Sequence, residues 1–97
     1  MFAIKFTDQA IADLKMLKKM ERRSIVSEIE TKLVKEPTVE TRNRKKLRPN
    51  QLAEWELRFG KFRIFYDVDK DKALIKIQTV GYKEGSRLII QGKEYKL

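Results

Sequence analysis

The 97-residue sequence contains no cysteine and no histidine. Without cysteine there are no disulfides, zinc ribbons or thiol nucleophiles. Without histidine the Ser-His-Asp and Cys-His catalytic arrangements are excluded, together with most zinc sites. Any proton transfer must use lysine, arginine, tyrosine, aspartate or glutamate. We therefore expect neither a metal ion nor a cofactor.

Long apolar runs are also missing. No run approaches the roughly 18 residues that a membrane-spanning helix needs, and the first residues, MFAIKFTDQ, show no signal-peptide pattern. We expect a cytoplasmic protein with no membrane partner. A length of 97 residues with 41% hydrophobic content predicts a single domain over residues 1–97.

Positive charge is abundant. The chain has 23 Lys and Arg against 14 Asp and Glu, a formal net charge of +9. On so small a domain this charge favours polyanionic partners, namely DNA, RNA or an acidic protein, over a surface that is merely well solvated. The basic residues are dense in one segment, at Arg42, Arg44, Lys45, Lys46 and Arg48. Such a segment is typical of a groove that follows a nucleic-acid backbone, or of a solvated loop.

Hydrophobic periodicity predicts an α+β fold with the element order β-α-α-β-β-β. Alternation over residues 2–6 predicts an N-terminal strand. Helical spacing predicts one helix from about residue 8 to 20 and a second that stops before Pro37, joined near residues 19–22 as a helical hairpin. Residues 38–50 show no apolar period, whereas alternation begins after residue 51. Residues 87–97 predict a C-terminal hairpin that turns at Gln91–Gly92.

Gly60 and Lys61 lie between two alternating runs and predict a two-residue hairpin turn. The implied register places Arg58 opposite Arg63. One face of this hairpin then carries the predicted core, which the two helices must cover. Its members are Trp55, Leu57, Phe59, Phe62, Ile64, Tyr66 and Val68.

A further strand is expected to follow a loop at residues 69–72. If Val68 pairs with Ala73, then Ile75 and Ile77 join the core face. The opposite face would remain open to solvent, as is common for antiparallel sheets. It would carry Glu54, Glu56, Arg58, Arg63, Phe65, Asp67, Lys76 and Gln78.

The predicted pairing of Arg58 with Arg63 is unusual, because like charges directly across two strands destabilise the pair. In one interpretation Glu56 and Asp67 neutralise the arginines. In the other the two guanidinium groups form an anion site for a phosphate, and Phe65 stacks on a base. Basic and polar residues expected near this site are Lys76, Gln78 and Lys83.

RNA can be cut without a metal ion when its own 2′-hydroxyl attacks the neighbouring phosphate. The reaction needs a base, a proton donor for the leaving oxygen, and cations that stabilise the extra negative charge. A lysine can act as base if nearby cations lower its pKa. DNA lacks the 2′-hydroxyl and cannot follow this route. The candidate residues are Lys45, Lys46, Arg58, Arg63, Lys76, Tyr82 and Lys83.

Four segments carry a resemblance to a known family: KKL at 45–47, WELR at 55–58, GKFRIFY at 60–66 and VGYK at 80–83. With the element order, they make the chain similar to the RelE/ParE superfamily of bacterial toxins. The resemblance implies a toxin of a type II toxin–antitoxin system. RelE-type members bind the ribosomal A site and cut mRNA, ParE-type members poison DNA gyrase, and both are neutralised by an antitoxin encoded alongside.

The resemblance also implies site residues. Arg63 matches the arginine that holds the scissile phosphate, Arg58 falls where the RelE type has a catalytic lysine, and Lys83 lies near a second basic position. Glu56 departs from the pattern, because the ribonuclease branch tends to have lysine there. The C-terminal tyrosine that stacks on the substrate base has no clear match: Ile89 falls close to its place, and Tyr82 or Tyr95 could substitute only by geometry. Many relatives have a short C-terminal helix where this chain predicts a hairpin.

The leading hypothesis is a metal-independent endoribonuclease that cleaves mRNA on the ribosome and has an acidic antitoxin as its partner. Its expected catalytic residues are Arg58, Arg63 and Lys83. The expected RNA-binding residues are Arg44, Lys45, Lys46, Arg48, Phe65, Lys76 and Tyr82. The alternatives are a ParE-like gyrase inhibitor without chemistry of its own and a non-catalytic nucleic-acid-binding relative.

Overall fold

The structure is a computed structural model that describes residues 1–96. It confirms the predicted α+β class, with an N-terminal strand, two helices and a sheet that is antiparallel except at one pair of strands. The elements in chain order are β1 (Ala3–Phe6), α1 (Asp8–Lys15), α2 (Lys19–Leu33), β2 (Arg44–Lys46), β3 (Trp55–Phe59), β4 (Phe62–Asp69), β5 (Leu74–Glu84), β6 (Arg87–Ile90) and β7 (Lys93–Tyr95). Neither helix is long and apolar enough to cross a membrane.

The sheet is built around the long strand β5. The spatial order is β2-β3-β4-β5-β6-β7, and β1 lies beside the first half of β5. Strand β1 runs parallel to β5, with Ala3 opposite Leu74, whereas β6 pairs antiparallel with its second half, with Tyr82 opposite Ile89. The C-terminal hairpin therefore extends the same sheet.

The central hairpin has the predicted register. Arg58 lies opposite Arg63, and Trp55 lies opposite Tyr66 with their rings stacked at a centroid distance of 6.2 Å. Gly60 has a φ of +56°, which is the left-handed conformation that glycine adopts without a steric cost. This turn residue therefore fixes which side chains share each face of the sheet.

The pairing of Val68 with Ala73 is wrong. Val68 pairs with Ile75, because residues 70–73 form a four-residue turn in which the side chain of Asp69 accepts a hydrogen bond from the Lys72 backbone. Ala73 adopts a φ of +50° at the end of this turn. The expectation for the core still holds, since Ile75 and Ile77 are fully buried.

The connection between the helices differs from the prediction. It spans residues 16–18 rather than 19–22, because a capping interaction starts α2 early: the backbone N–H of Lys18 donates to the carboxylate of Glu21 at 3.3 Å. Thr7 caps α1 in the ordinary way through its hydroxyl oxygen. The connection between the two helices is therefore three residues long and precedes the predicted one.

The main core lies between the helices and one face of the sheet. Tyr66 is completely buried there, and its hydroxyl donates to the Pro37 carbonyl at 2.6 Å. Burial raises the pKa of Tyr66 above its ordinary value, with a smaller opposing effect from Arg44. Other fully buried members of this core are Ile25, Ile29, Leu33, Ile64, Ile75 and Ile77.

A buried carboxylate joins α1 to an irregularity in β5. The register between β4 and β5 shifts at Phe65/Tyr66, which is typical of a β-bulge. Asp13 lies beside the bulge and accepts hydrogen bonds from the Thr79 hydroxyl and, at 2.9 Å, from the Val80 backbone. These bonds fix α1 against the half of β5 that leads to Lys83.

The basic segment contains a strand that its composition does not predict. Residues 44–46 pair with β3, and further backbone bonds join Arg58 to Asn43 and Leu47 to Glu54. The guanidinium of Arg44 donates to the backbone carbonyls of Lys32 and Val39. It thereby caps the end of α2 and fixes the loop that leads to the strand.

A second, smaller core covers part of the face predicted to be open. Phe65 lies at its centre and is fully buried, so the prediction of a wholly exposed face is wrong. The covering residues come from the segment after β2 and from the C-terminal hairpin: Leu47, Leu52, Ala53, Leu88, Ile90 and Tyr95. The predicted hairpin turn at Gln91–Gly92 is confirmed, and Leu97, which was assigned to this hairpin, lies outside the described residues.

Candidate anion-binding cleft

A cleft of about 490 Å³ opens beside the second core, on the face of the sheet away from the helices. Strands β3, β4 and β5 form its floor, and the C-terminal hairpin forms one wall. The lining side chains include four cations and two carboxylates. The lining residues are Leu47, Glu56, Arg58, Arg63, Lys83, Ser86, Leu88, Glu94, Tyr95 and Lys96.

All three predicted catalytic residues line this cleft. Arg58 and Arg63 are cross-strand partners on β3 and β4, and their side chains therefore leave the same face of the sheet. Lys83 follows Gly81, the residue opposite Arg63 on β5, by two positions and so returns to that face. The register of the sheet brings the three cations together.

The two arginines have different partners. Arg58 Nε donates to Glu56 Oε1 at 2.8 Å, although 46% of its side chain remains exposed. Arg63 Nη1 donates to the backbone carbonyls of Gly60 at 2.8 Å and Phe62 at 2.9 Å. Both guanidinium groups are thus oriented by the protein while keeping N–H donors beyond those already used, since arginine carries five.

The pKa of Arg63 is lowered mainly by burial. Glu56 opposes this effect, and the neighbouring charge of Arg58 lowers the pKa further. An arginine retains its proton under such conditions, so Arg63 stays a cation. Arg63 is a partly desolvated guanidinium beside a like charge, an environment in which a bound anion is favourable.

Glu56 provides the negative charge that offsets the repulsion between Arg58 and Arg63. Only 7% of its side chain is exposed, and Lys45 lies opposite it on β2. Asp67 has no such role: its carboxylate accepts from the Glu54 backbone and the Gln78 amide instead. The neutralising interpretation is therefore right for one carboxylate, and the cleft still keeps an excess of positive charge.

Lys83 lines the cleft, and its ammonium donates to the Ser86 carbonyl at 3.3 Å. The hairpin after it approaches β5 very closely. A Cβ on Gly81 would lie 2.6 Å from the Ile89 carbonyl oxygen. Glycine at this position therefore allows the hairpin to form the wall of the cleft.

None of the seven expected RNA-binding residues lines the cleft, and three of them lie on other parts of the sheet. Phe65 is fully buried in the second core, so its ring has no free face for a base. Tyr82 packs against the main core on the helix side, because it precedes Lys83 and strand residues alternate. Lys76 is exposed but lies in another depression, beside Asp67 and Gln78.

The basic segment is divided between different surfaces. Arg44 turns toward the helices, and its guanidinium bonds are satisfied by backbone carbonyls. Lys45 shares the cleft face with Glu56. Lys46 and Arg48 are exposed and line an adjoining groove of about 700 Å³ formed by residues 46–54. No basic side chain of this segment lines the cleft itself, although Lys45 shares its face of the sheet.

The structure also brings residues to the cleft that the composition of the open face does not predict. Tyr95 supplies an aromatic ring, and Glu94 and Lys96 add charges. Glu94 is held by Arg87 at 3.1 Å. The alternation of the last residues predicts their strand but not which surface the hairpin covers, because that depends on its docking over Phe65. Within residues 1–96 no group of three His, Cys, Asp or Glu side chains could hold a metal ion.

Solved structures share this fold. A chain of the Mycobacterium tuberculosis RelBE2 toxin–antitoxin complex has a TM-score of 0.73 at 26% identity, covering 84% of this chain and 98% of that one. The isolated Escherichia coli RelE toxin has a TM-score of 0.71 at 19% identity, covering 89% and 88%. A chain of the archaeal RelE–RelB complex from Pyrococcus horikoshii has a TM-score of 0.68 at 24% identity, covering 88% and 97%. No curated protein gives a significant sequence match.

A family model adds to this structural similarity. The model described as "ParE toxin of type II toxin-antitoxin system, parDE" matches residues 4–86. That range runs from β1 to the turn before β6 and includes Arg58, Arg63 and Lys83. Because the match covers most of the sequence, the chain belongs to the ParE toxin family of type II toxin–antitoxin systems, within the RelE/ParE superfamily.

Proposed function

We propose that this toxin inhibits translation by cleaving mRNA on the ribosome, in the cytoplasm. The observation that supports the proposal is the convergence of Arg58, Arg63 and Lys83 in one cleft. Phosphoryl transfer places extra negative charge on the phosphate oxygens, and oriented cations stabilise that charge. The two guanidinium groups are held by hydrogen bonds and so meet this requirement with little reorganisation.

Each cation has a different role in this reaction. Arg63 binds a non-bridging oxygen of the scissile phosphate from the cleft floor, and Arg58 binds the same phosphate from the adjacent strand. Lys83 donates a proton to the leaving 5′-oxygen. Tyr95, rather than the buried Phe65, supplies the ring on which a base stacks.

Induction in a bacterial host tests the function. Wild-type induction should arrest growth and produce mapped cuts in mRNA, whereas Arg63→Ala should reduce both by at least about tenfold, the loss expected when a charge-stabilising donor is removed. The matched control is Lys72→Ala, an exposed cation outside the cleft. An Arg63→Ala variant that remains fully toxic, or toxicity with intact mRNA, would show that the mechanism is wrong.

Gyrase inhibition is the second candidate, and the ParE family match favours it. The pairing of Arg58 with Glu56 also fits a cleft that binds without catalysis. A supercoiling assay with purified gyrase separates the two functions, because inhibition in the absence of ribosomes supports only the gyrase target. Induction without growth arrest, together with salt-dependent RNA binding, would support a non-catalytic nucleic-acid-binding relative instead.

An acidic antitoxin is the partner we propose. Two of the similar structures are toxin–antitoxin complexes, and a chain with a net charge of +9 attracts an acidic segment. We expect such a segment to lie on the cationic surface and to weaken nucleic-acid binding. Titrating RNA with the toxin alone and with the complex checks this, and equal affinity would contradict it.

A further inference from the structure

We propose that Glu56 is the general base of the cleft, an inference that rests on the mRNA-cleavage function proposed above. Cationic residues surround this carboxylate on the cleft floor, where the superfamily resemblance implies a lysine. The simpler interpretation is that Glu56 only neutralises the arginine pair. Its geometry supports a direct part in the chemistry.

One oxygen of Glu56 is held and the other is free. Oε1 accepts the hydrogen bond from Arg58 Nε at 2.8 Å. Within residues 1–96 no hydrogen bond ends on Oε2, and no fully buried side-chain oxygen or nitrogen lacks a partner. Oε2 must therefore reach solvent, and the solvent it reaches is that of the cleft which Glu56 lines. A lone pair is thus available beside the phosphate-binding cations.

Cationic groups predominate around Glu56. The titratable and charged groups facing it are Lys45 from β2, Arg58 on its own strand, Arg63 from β4, Lys83 from β5, and Glu94, Tyr95 and Lys96 from the C-terminal hairpin. Five cations and one other carboxylate therefore share the surroundings of Glu56. A charged lysine or arginine has no lone pair to accept a proton, whereas a carboxylate accepts one directly.

The step balances with groups already in the cleft. Oε2 of Glu56 takes the proton of the RNA 2′-hydroxyl while the 2′-oxygen forms a bond to phosphorus. The bond from phosphorus to the 5′-oxygen breaks, and Lys83 gives its proton to that leaving oxygen. The products are a 2′,3′-cyclic phosphate and a 5′-hydroxyl. Water then returns the proton of Glu56 to solvent and reprotonates Lys83.

Glu56→Gln separates a general base from a carboxylate that only neutralises the arginine pair, because the two roles predict different cleavage rates. Glutamine keeps the size of the side chain and an oxygen that accepts from Arg58, but it cannot take the proton. We expect single-turnover cleavage of ribosome-bound mRNA to slow by about 10²- to 10⁴-fold. Toxin affinity for the programmed ribosome should stay equal or rise, because one negative charge has left a cationic cleft. Glu56→Asp should retain part of the rate.

The pH–rate profile adds a readout that a structural role does not change. The wild-type rate should fall at acid pH as the carboxylate becomes protonated, and Glu56→Gln should lose this acid limb. Glu54→Gln is the matched control, because Glu54 is exposed, lies two residues earlier and is outside the cleft. Its rate and profile should match those of the wild type.

Three results would overturn the inference. A Glu56→Gln rate within threefold of the wild type leaves mRNA cleavage intact but excludes Glu56 as the base. A rate loss matched by an equal loss of ribosome affinity shows that Glu56 only shapes the cleft. A wild-type protein that cuts no mRNA contradicts the proposed function itself, and the inference with it.

Discussion

Single buried polar groups hold the surfaces of this toxin in place. Tyr66 fixes the loop after α2, Asp13 fixes the bulge in β5, and Glu56 fixes Arg58. Each hydrogen bond adds little net stability, but removing one partner leaves the other desolvated and unpaired. Substitutions at these residues therefore have larger effects than the number of lost contacts indicates.

Tyr66→Phe should lower the free energy of unfolding by about 1–2 kcal/mol, because the buried Pro37 carbonyl loses its donor. The pKa of Tyr66 is raised by burial, so the wild type loses stability as the pH rises above about 10, where the unfolded chain ionises first. Urea unfolding at neutral and alkaline pH measures both effects.

In that experiment the difference between Tyr66→Phe and the wild type should shrink at alkaline pH, since the variant has no hydroxyl to ionise at this position. Tyr82→Phe is the matched control, because Tyr82 is only half-buried and its hydroxyl makes no hydrogen bond within residues 1–96. Equal losses in the two variants, or a difference that grows with pH, would contradict the assignment.

At the scale of elements, sequence patterns predict the turns and strand registers that neighbouring residues determine. The turn at Gly60 sets the register of β3 and β4, and the alternation of the flanking residues divides them correctly between two faces. The C-terminal hairpin is also predicted by its turn at Gln91–Gly92. These features depend on neighbours in the chain, and so they can be recognised without a structure.

The elements that the sequence does not predict depend on distant contacts. Strand β2 has no apolar alternation, and its pairing depends on backbone bonds to β3 and on Arg44, which reaches α2. Phe65 alternates like a solvent-facing residue, yet the hairpin buries it. The sequence predicts that Arg58, Arg63 and Lys83 lie together, because they belong to the hairpin of β3 and β4 and to β5. Tyr95 joins them only because the C-terminal hairpin docks on the sheet.

Asp13→Ala should test how α1 is fixed to the bulge. We expect a loss of about 2 kcal/mol in the free energy of unfolding, because the Val80 N–H loses its acceptor in a buried position. Asp8→Ala, an exposed acid in the same helix, is the control and should cost no more than about 0.5 kcal/mol. Urea unfolding of both variants gives the comparison, and equal losses would show that Asp13 has no special part.

At the scale of the whole molecule, a net charge of +9 attracts any polyanion, so affinity alone does not identify the site. Exposed cationic side chains, such as those of Lys72, Lys76 and Arg48, are spread over several surfaces. The cleft differs because its cations are oriented and lie together. The number of phosphates that each residue contacts distinguishes binding in the cleft from attraction by the overall electrostatic field of the protein.

Salt dependence provides that count. Each phosphate contact on a single strand contributes about −0.7 to the slope of log K against log salt concentration. Arg63→Gln should therefore make the slope shallower by about that amount in single-stranded RNA binding, measured by fluorescence anisotropy from about 50 to about 200 mM salt. Lys72→Gln removes the same charge outside the cleft and should leave the slope unchanged. If both variants shift the slope equally, RNA is held by the overall electrostatic field of the protein, and the cleft does not bind a specific phosphate.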